Sequence, residues 1–96
     1  METNVIIKQQ FPLKERQYAD KAGQTRTFAS RGFELSDGID TFYAEMTGDR
    51  ARNIGELDPQ HFYHASLELR ARTYQAANGE NVWVNDIYIN NIKPIF

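Results

Sequence analysis

The sequence predicts an all-β fold, a small β-barrel of five strands with one short helix between strands three and four. Three observations carry that prediction. The stretch Phe62 to Ile92 reads as a long hairpin, FYHASLELRARTYQ and ENVWVNDIYINNI on either side of Ala77-Asn78-Gly79, and Asn-Gly between alternating apolar runs is the strongest short-range hairpin signal. Three further alternating runs precede it, with one short helical stretch before the hairpin. A lone hairpin is marginal in water, and closing the strands into a barrel removes the edges that an open sheet would expose.

Taken in order, Asn4 to Phe11 (NVIIKQQF) is the first strand. Pro12 to Thr25 is polar, punctuated by Pro and Gly, and reads as a long loop in which Lys14, Arg16 and Lys21 surround Tyr18. Arg26 to Leu35 is the second strand. Phe28 is out of phase with Phe33 and Leu35, so Gly32 reads as a β-bulge that resets the alternation; the faces of Phe28 and Arg31 stay open. Ser36-Asp37-Gly38 is a turn. Ile39 to Thr47 is the third strand, with Phe42, Ala44 and Met46 inward and Tyr43 outward beside Glu45. Gly48 to Leu57 reads as a helix of two turns or fewer, Asp49 its N-cap and Gly55 its stop. Asp58-Pro59 turns the chain into the hairpin, and Pro94 confines the last strand to an edge. The closing Pro94-Ile95-Phe96 reads as the end of the barrel.

The hairpin register follows from alternation. A two-residue loop would set Ile87 opposite Arg70 and mix the faces, because a slip of one residue reverses every side chain. A loop of three or five residues repairs this, with Gly79 in a left-handed position. Leu69 then faces Ile87, Leu67 faces Ile89, and Arg70 faces Asp86 on the outside. Trp83 falls on the inner face with Thr73 and Asn85, near enough to the tip to extend past the core.

The 96 residues form one domain, 1–96, with a single modest core. The absence of cysteine excludes disulfides and thiolate metal sites. No apolar run is long enough for a membrane span and no leader pattern opens the chain, which fits a cytoplasmic protein. The net charge is −2, but it is unevenly spread. Residues 1–31 hold six basic and three acidic side chains, and residues 32–96 hold five basic and ten acidic. A local basic surface is therefore compatible with an acidic total.

Three strands, a helix and two strands is the element order of the oligonucleotide/oligosaccharide-binding (OB) fold; an SH3-like barrel is the rival. At the hairpin the chain resembles the bacterial single-stranded-DNA-binding protein family. The carrying residues are Leu69-Arg70-Ala71-Arg72-Thr73-Tyr74, Asn78-Gly79-Glu80, Trp83 and Asp86-Ile87-Tyr88-Ile89, with Tyr43-Ala44-Glu45-Met46-Thr47-Gly48 and Ala51 resembling the family's third strand and helix entry. The resemblance covers residues 41–55 and 63–92. Thr47 stands where that family usually carries a strand-ending aromatic.

What it implies is low-specificity binding of single-stranded DNA, or RNA, and assembly as a homo-oligomer (dimer or tetramer). Such binding needs aromatic faces for bases and cations for phosphates. OB folds place both on strands two and three and on loops 1–2 and 4–5. The candidates are Lys14, Arg16, Tyr18, Lys21 and Arg26 from the loop, Tyr43 from strand three, and Arg70, Arg72, Tyr74 and Trp83 from the hairpin. Each has a plainer reading: Tyr74 and Trp83 as covers of the barrel end, Tyr43 as a packing aromatic, Arg70 as the partner of Asp86, and the loop cations as solubilising charge.

An enzyme is not expected. His61 and His64 would face opposite ways on a strand, and neither a phosphate loop nor a nucleophile elbow is present. No cofactor or metal is implied. The alternative function is an OB-fold protein-interaction module in a replication, conjugation or phage assembly, using the same face.

Overall fold

The strand pairings close on themselves. In the computed structural model, which describes residues 1–95, six strands and one helix follow the order β1 (Glu2–Gln10), β2 (Lys14–Ala19), β3 (Thr25–Ser36), β4 (Thr41–Thr47), α1 (Asp49–Asn53), β5 (Phe62–Gln75) and β6 (Asn81–Pro94). The sheet runs β1-β5-β6-β4-β3-β2, and β1 also pairs with β3. Five strands thus form a ring of hydrogen bonds, antiparallel except at the β4–β6 contact, where Glu45 meets Tyr88 in parallel. β2 stands outside the ring. It lies end to end with β1 along one edge of β3: Gln10 pairs with Phe33, the Phe11 N–H donates to Gly32 O at 2.9 Å, and Lys14 pairs with Ser30.

The ring encloses Val5, Ile7, Phe33, Leu35, Ala44, Met46, Tyr63, Ala65, Leu67 and Ile89, and Ala51 of α1 is buried with them. These residues alternate along their strands, as a sheet with one buried face requires. Each fully buried large side chain contributes roughly 1.5–3 kcal/mol. The single buried phenol, Tyr63, accepts a hydrogen bond from the Asp58 N–H at 2.9 Å, which fixes the entry to β5.

The hairpin register is as its alternation requires. Leu69 pairs with Ile87, Leu67 with Ile89, and Arg70 with Asp86. Gln75 pairs with Asn81, leaving the five-residue loop Ala76–Glu80 with Gly79 at φ +84°. Burial stops at Leu67, however. Leu69 is 54% exposed, and Arg70–Gln75 are exposed throughout, so the distal hairpin projects as an arm. The turn expected at Ser36-Asp37-Gly38 is present and runs on to Asp40, with the Asp37 carboxylate accepting from the Ile39 and Asp40 N–H groups.

Four expectations are corrected. The loop Pro12–Thr25 contains a strand, β2, so there are six strands rather than five. Every residue of β2 is exposed. It is held by backbone pairing and by its turn, where Asp20 Oδ1 accepts from the N–H groups of Ala22 and Gln24 at 2.9 Å. Alternation of apolar residues reports burial, and a strand that buries nothing has none to report. Second, no bulge lies at Gly32: β3 pairs with β4 in unbroken register from Ser30 to Ser36. The bulge is in β1, where Lys8 is the extra residue between Ile7 and Gln9. β3 therefore keeps one phase, with Ala29, Arg31, Phe33 and Leu35 inward and Phe28, Ser30, Gly32 and Glu34 outward. Third, β4 begins at Thr41, and Ile39 is 90% exposed in the turn before it. Fourth, α1 is one short turn, Asp49–Asn53, capped by Gly48 instead of Asp49, whose carboxylate pairs with Arg52 at 2.8 Å. β6 ends at Pro94, and the expectation for Phe96 falls outside the described residues. Among the described residues, no helix is long and apolar enough to cross a membrane.

Candidate nucleic-acid interface

Residues directly opposite each other in a sheet lie on the same face, so the registers define the outer surface strand by strand. On β2, Lys14, Arg16 and Tyr18 pair with Ser30, Phe28 and Arg26 of β3. Continuing along β3, Gly32 and Glu34 pair with Glu45 and Tyr43 of β4. Glu45 leads to Tyr88 of β6, and Tyr88 and Asp86 pair with Glu68 and Arg70 of β5. Arg72 and Tyr74 continue the same side of the arm. Eight of the ten expected residues thus share one outer face: Lys14, Arg16, Tyr18, Arg26, Tyr43, Arg70, Arg72 and Tyr74.

The other two lie elsewhere. Lys21 is in the β2–β3 turn. Trp83 pairs with Thr73 on the opposite side of the arm and is 72% exposed.

Aromatic faces are available on this surface. Tyr18, Tyr43 and Tyr74 are 48%, 55% and 49% exposed. The Tyr43 ring lies across Gly32, where a Cβ would come within 2.7 Å of ring carbons. It also meets Phe11 at a centroid distance of 6.0 Å. Gly32 is therefore a close-approach glycine, which lets a ring lie against backbone. Partial desolvation, and then the charge of Glu45, push the Tyr43 phenol above its ordinary pKa.

The cations differ in availability. Arg26 pairs with Asp20 at 2.6 Å, and Arg72 with Asp86 at 2.7 Å. Arg70 pairs with Glu68 and lies 4.9 Å over the Tyr88 ring. This corrects the expected Arg70–Asp86 pair: the two are opposite in register, but each long guanidinium takes a different carboxylate within reach on a crowded face. The Arg26 guanidinium, ahead of the turn N–H groups, holds the Asp20 carboxyl below its usual range, and Arg70 does the same for Glu68. Lys14, Arg16 and Lys21 enter no ion pair among the described residues. Arg16 sits 5.5 Å over the Phe28 ring. Around Lys14 and Arg16 opens a cleft of about 720 Å³, lined also by Leu13, Glu15, Phe28, Ser30 and Glu45.

Phe28, Tyr88 and the carboxylates Glu34, Glu45, Glu68 and Asp86 are members of this face that sequence reasoning did not place in the site. The signal for Phe28 was its phase. Had Lys14, Arg16 and Tyr18 been taken as alternate residues of a strand, Phe28 would have been their neighbour. His61 precedes β5, while His64 bonds Asn4 and Glu2 on another part of the surface. Neither a protein-family model nor a curated protein matches this chain in sequence.

Proposed function

We propose that the chain is an OB-fold binder of single-stranded nucleic acid, DNA more than RNA, with low sequence specificity and no catalytic step. The carrying observation is the continuous outer face on which three half-exposed tyrosines, Phe28 and five cations share one side of β2, β3, β4, β6 and β5. The ring of strands, the parallel β4–β6 contact and the helix between β4 and β5 support the OB assignment. Bases stack on the rings at about 1–3 kcal/mol each, and phosphates run beside the cations.

Magnitudes decide which term leads. The two cations of this face without ion-pair partners among the described residues, Lys14 and Arg16, at a slope of about 0.7 per phosphate for single strands, give a salt dependence of only about 1.4. Stacking on two or three rings outweighs that. Titration of tyrosine and Trp83 emission with oligo-dT at several salt concentrations tests the reading. Saturable quenching with a log–log salt slope of about 1.4 supports it.

A protein-interaction module is the second reading, favoured by Leu69 and Trp83, both exposed on the other side of the arm. It gives no saturable change with any oligonucleotide.

A further inference from the structure

We infer that Glu45 makes this site selective for guanine, by accepting two N–H groups from one base edge. The inference rests on the nucleic-acid reading above and adds a base preference to it.

Glu45 is half-buried on the outer side of β4, between Gly32 of β3 and Tyr88 of β6. It lines the cleft that also holds Lys14, Arg16, Phe28 and Ser30. It lines a second cleft as well, of about 290 Å³, beside Tyr43, Asp86 and Tyr88. Among the described residues it has no ion-pair partner, whereas Glu15 of the first cleft pairs with Arg52, Asp86 of the second with Arg72, and Glu68 and Asp20 with Arg70 and Arg26. Glu34, on the same face beside Tyr43, is also unpaired among the described residues but lines neither cleft, so Glu45 is the unpaired carboxylate that stands where the two aromatic-lined clefts meet.

A phosphate is a poor occupant beside it, because like charges repel. A base edge bearing N–H donors is a good one, since a carboxylate only accepts. Guanine offers two adjacent donors, N1–H and the N2 amino group, spaced like the fork of an arginine that binds a carboxylate through both oxygens. Cytosine and adenine offer one amino group beside a ring nitrogen that accepts. Thymine offers a single N–H flanked by two carbonyl oxygens, which the carboxylate repels. The base would stack on Arg16 and Phe28 or on Tyr43 while its edge meets Glu45, and Lys14 would hold the flanking phosphate.

The test compares a thymine oligomer, the same oligomer with one central guanine, and the same with inosine, which lacks the N2 amino group. A well-placed bidentate pair discriminates by about 1–3 kcal/mol, so guanine should bind about 5- to 150-fold tighter than thymine. Inosine should lose most of that gain, and Glu45→Gln should abolish the preference. Equal affinity for the three oligomers on the unaltered protein overturns the inference while leaving the binding function standing, and it needs no variant to fold. A Glu45→Gln protein that binds all three more tightly by one common factor also overturns it, since the carboxylate would then only repel phosphate. If no oligomer binds, the parent reading fails with it.

Discussion

Two ribbons leave the ring of strands, and they differ in what they do with their charge. One is the wing formed by β2 and the first half of β3; the other is the arm formed by the distal halves of β5 and β6. Both are two-stranded and antiparallel, and neither buries a large side chain fully. On the arm, both outward arginines are matched by carboxylates, Arg70 by Glu68 and Arg72 by Asp86. On the wing, Arg26 is matched by Asp20, but Lys14 and Arg16 are not matched among the described residues, and Arg16 lies over Phe28. The arm carries the sequence resemblance, yet the wing holds the cations available to a ligand. Counting arginines in a motif overstates a site when their neighbours neutralise them; an exposed pair contributes only about 0–1 kcal/mol to stability and must be broken or shared for each phosphate contact.

The comparison breaks most sharply on affinity for a single strand. Phe28→Leu keeps the apolar volume and removes the ring, and Arg16→Ala removes the stacked cation. Each should weaken oligo-dT binding by about 1–3 kcal/mol, whereas Arg70→Ala or Arg72→Ala should cost less than about 1 kcal/mol. Fluorescence titration of the four variants in one buffer decides it, and a larger loss from the arm reverses the ranking.

A smaller effect separates packing from binding at the junction of the two regions. Gly32 has no positive φ, so its backbone accepts alanine, and the atoms in the way belong to the outer end of the exposed Tyr43 ring. Gly32→Ala should therefore change unfolding free energy by less than about 1 kcal/mol. It should also swing Tyr43 off the strand and weaken binding by roughly the worth of one stacked base, about 1 kcal/mol. Denaturant unfolding alongside titration checks both halves. A large stability loss would mean that the ring cannot move.

The smallest effect is in acid. The carboxyl of Asp20 in the wing's turn and that of Glu68 in the arm both titrate below their ordinary values of 3.8 and 4.5. A depressed folded pKa gives stabilisation that is complete above the unfolded value and disappears as pH falls through the folded one. Acidification from about pH 5 to about pH 3 should thus loosen both ribbons before the ring opens. The protection factors of the Ala22 and Gln24 amides, whose N–H groups Asp20 holds, should fall over that range when referred to the intrinsic exchange rate at each pH. Asp20→Asn should remove that pH dependence from the wing and leave it in the arm.

Much of the fold was legible before any coordinates. The hairpin register followed from alternation, since only an odd loop sets Leu67 and Leu69 opposite Ile89 and Ile87. The turn at Ser36-Asp37-Gly38 and the inward phase of Phe42, Ala44 and Met46 followed from local chemistry. The wing was illegible for the same reason that these were clear: periodicity is a record of burial, and Lys14–Ala19 buries no side chain. The site was half legible. Tyr43, Tyr74 and the arginines could be placed by parity, but the phase of Phe28 was hidden by the bulge wrongly assigned to Gly32.

What the sequence determined alone is the set of alternating strands, their turns and the odd loop at Asn78-Gly79, because each depends on residues close along the chain. The tertiary structure decided the rest. It set β2 against β3, laid Tyr43 over Gly32, gave Glu68 to Arg70 and Asp86 to Arg72, and left Glu45 without an ion-pair partner among the described residues. Those outcomes depend on which side chains meet across the sheet, and such distances are set only when the ring closes.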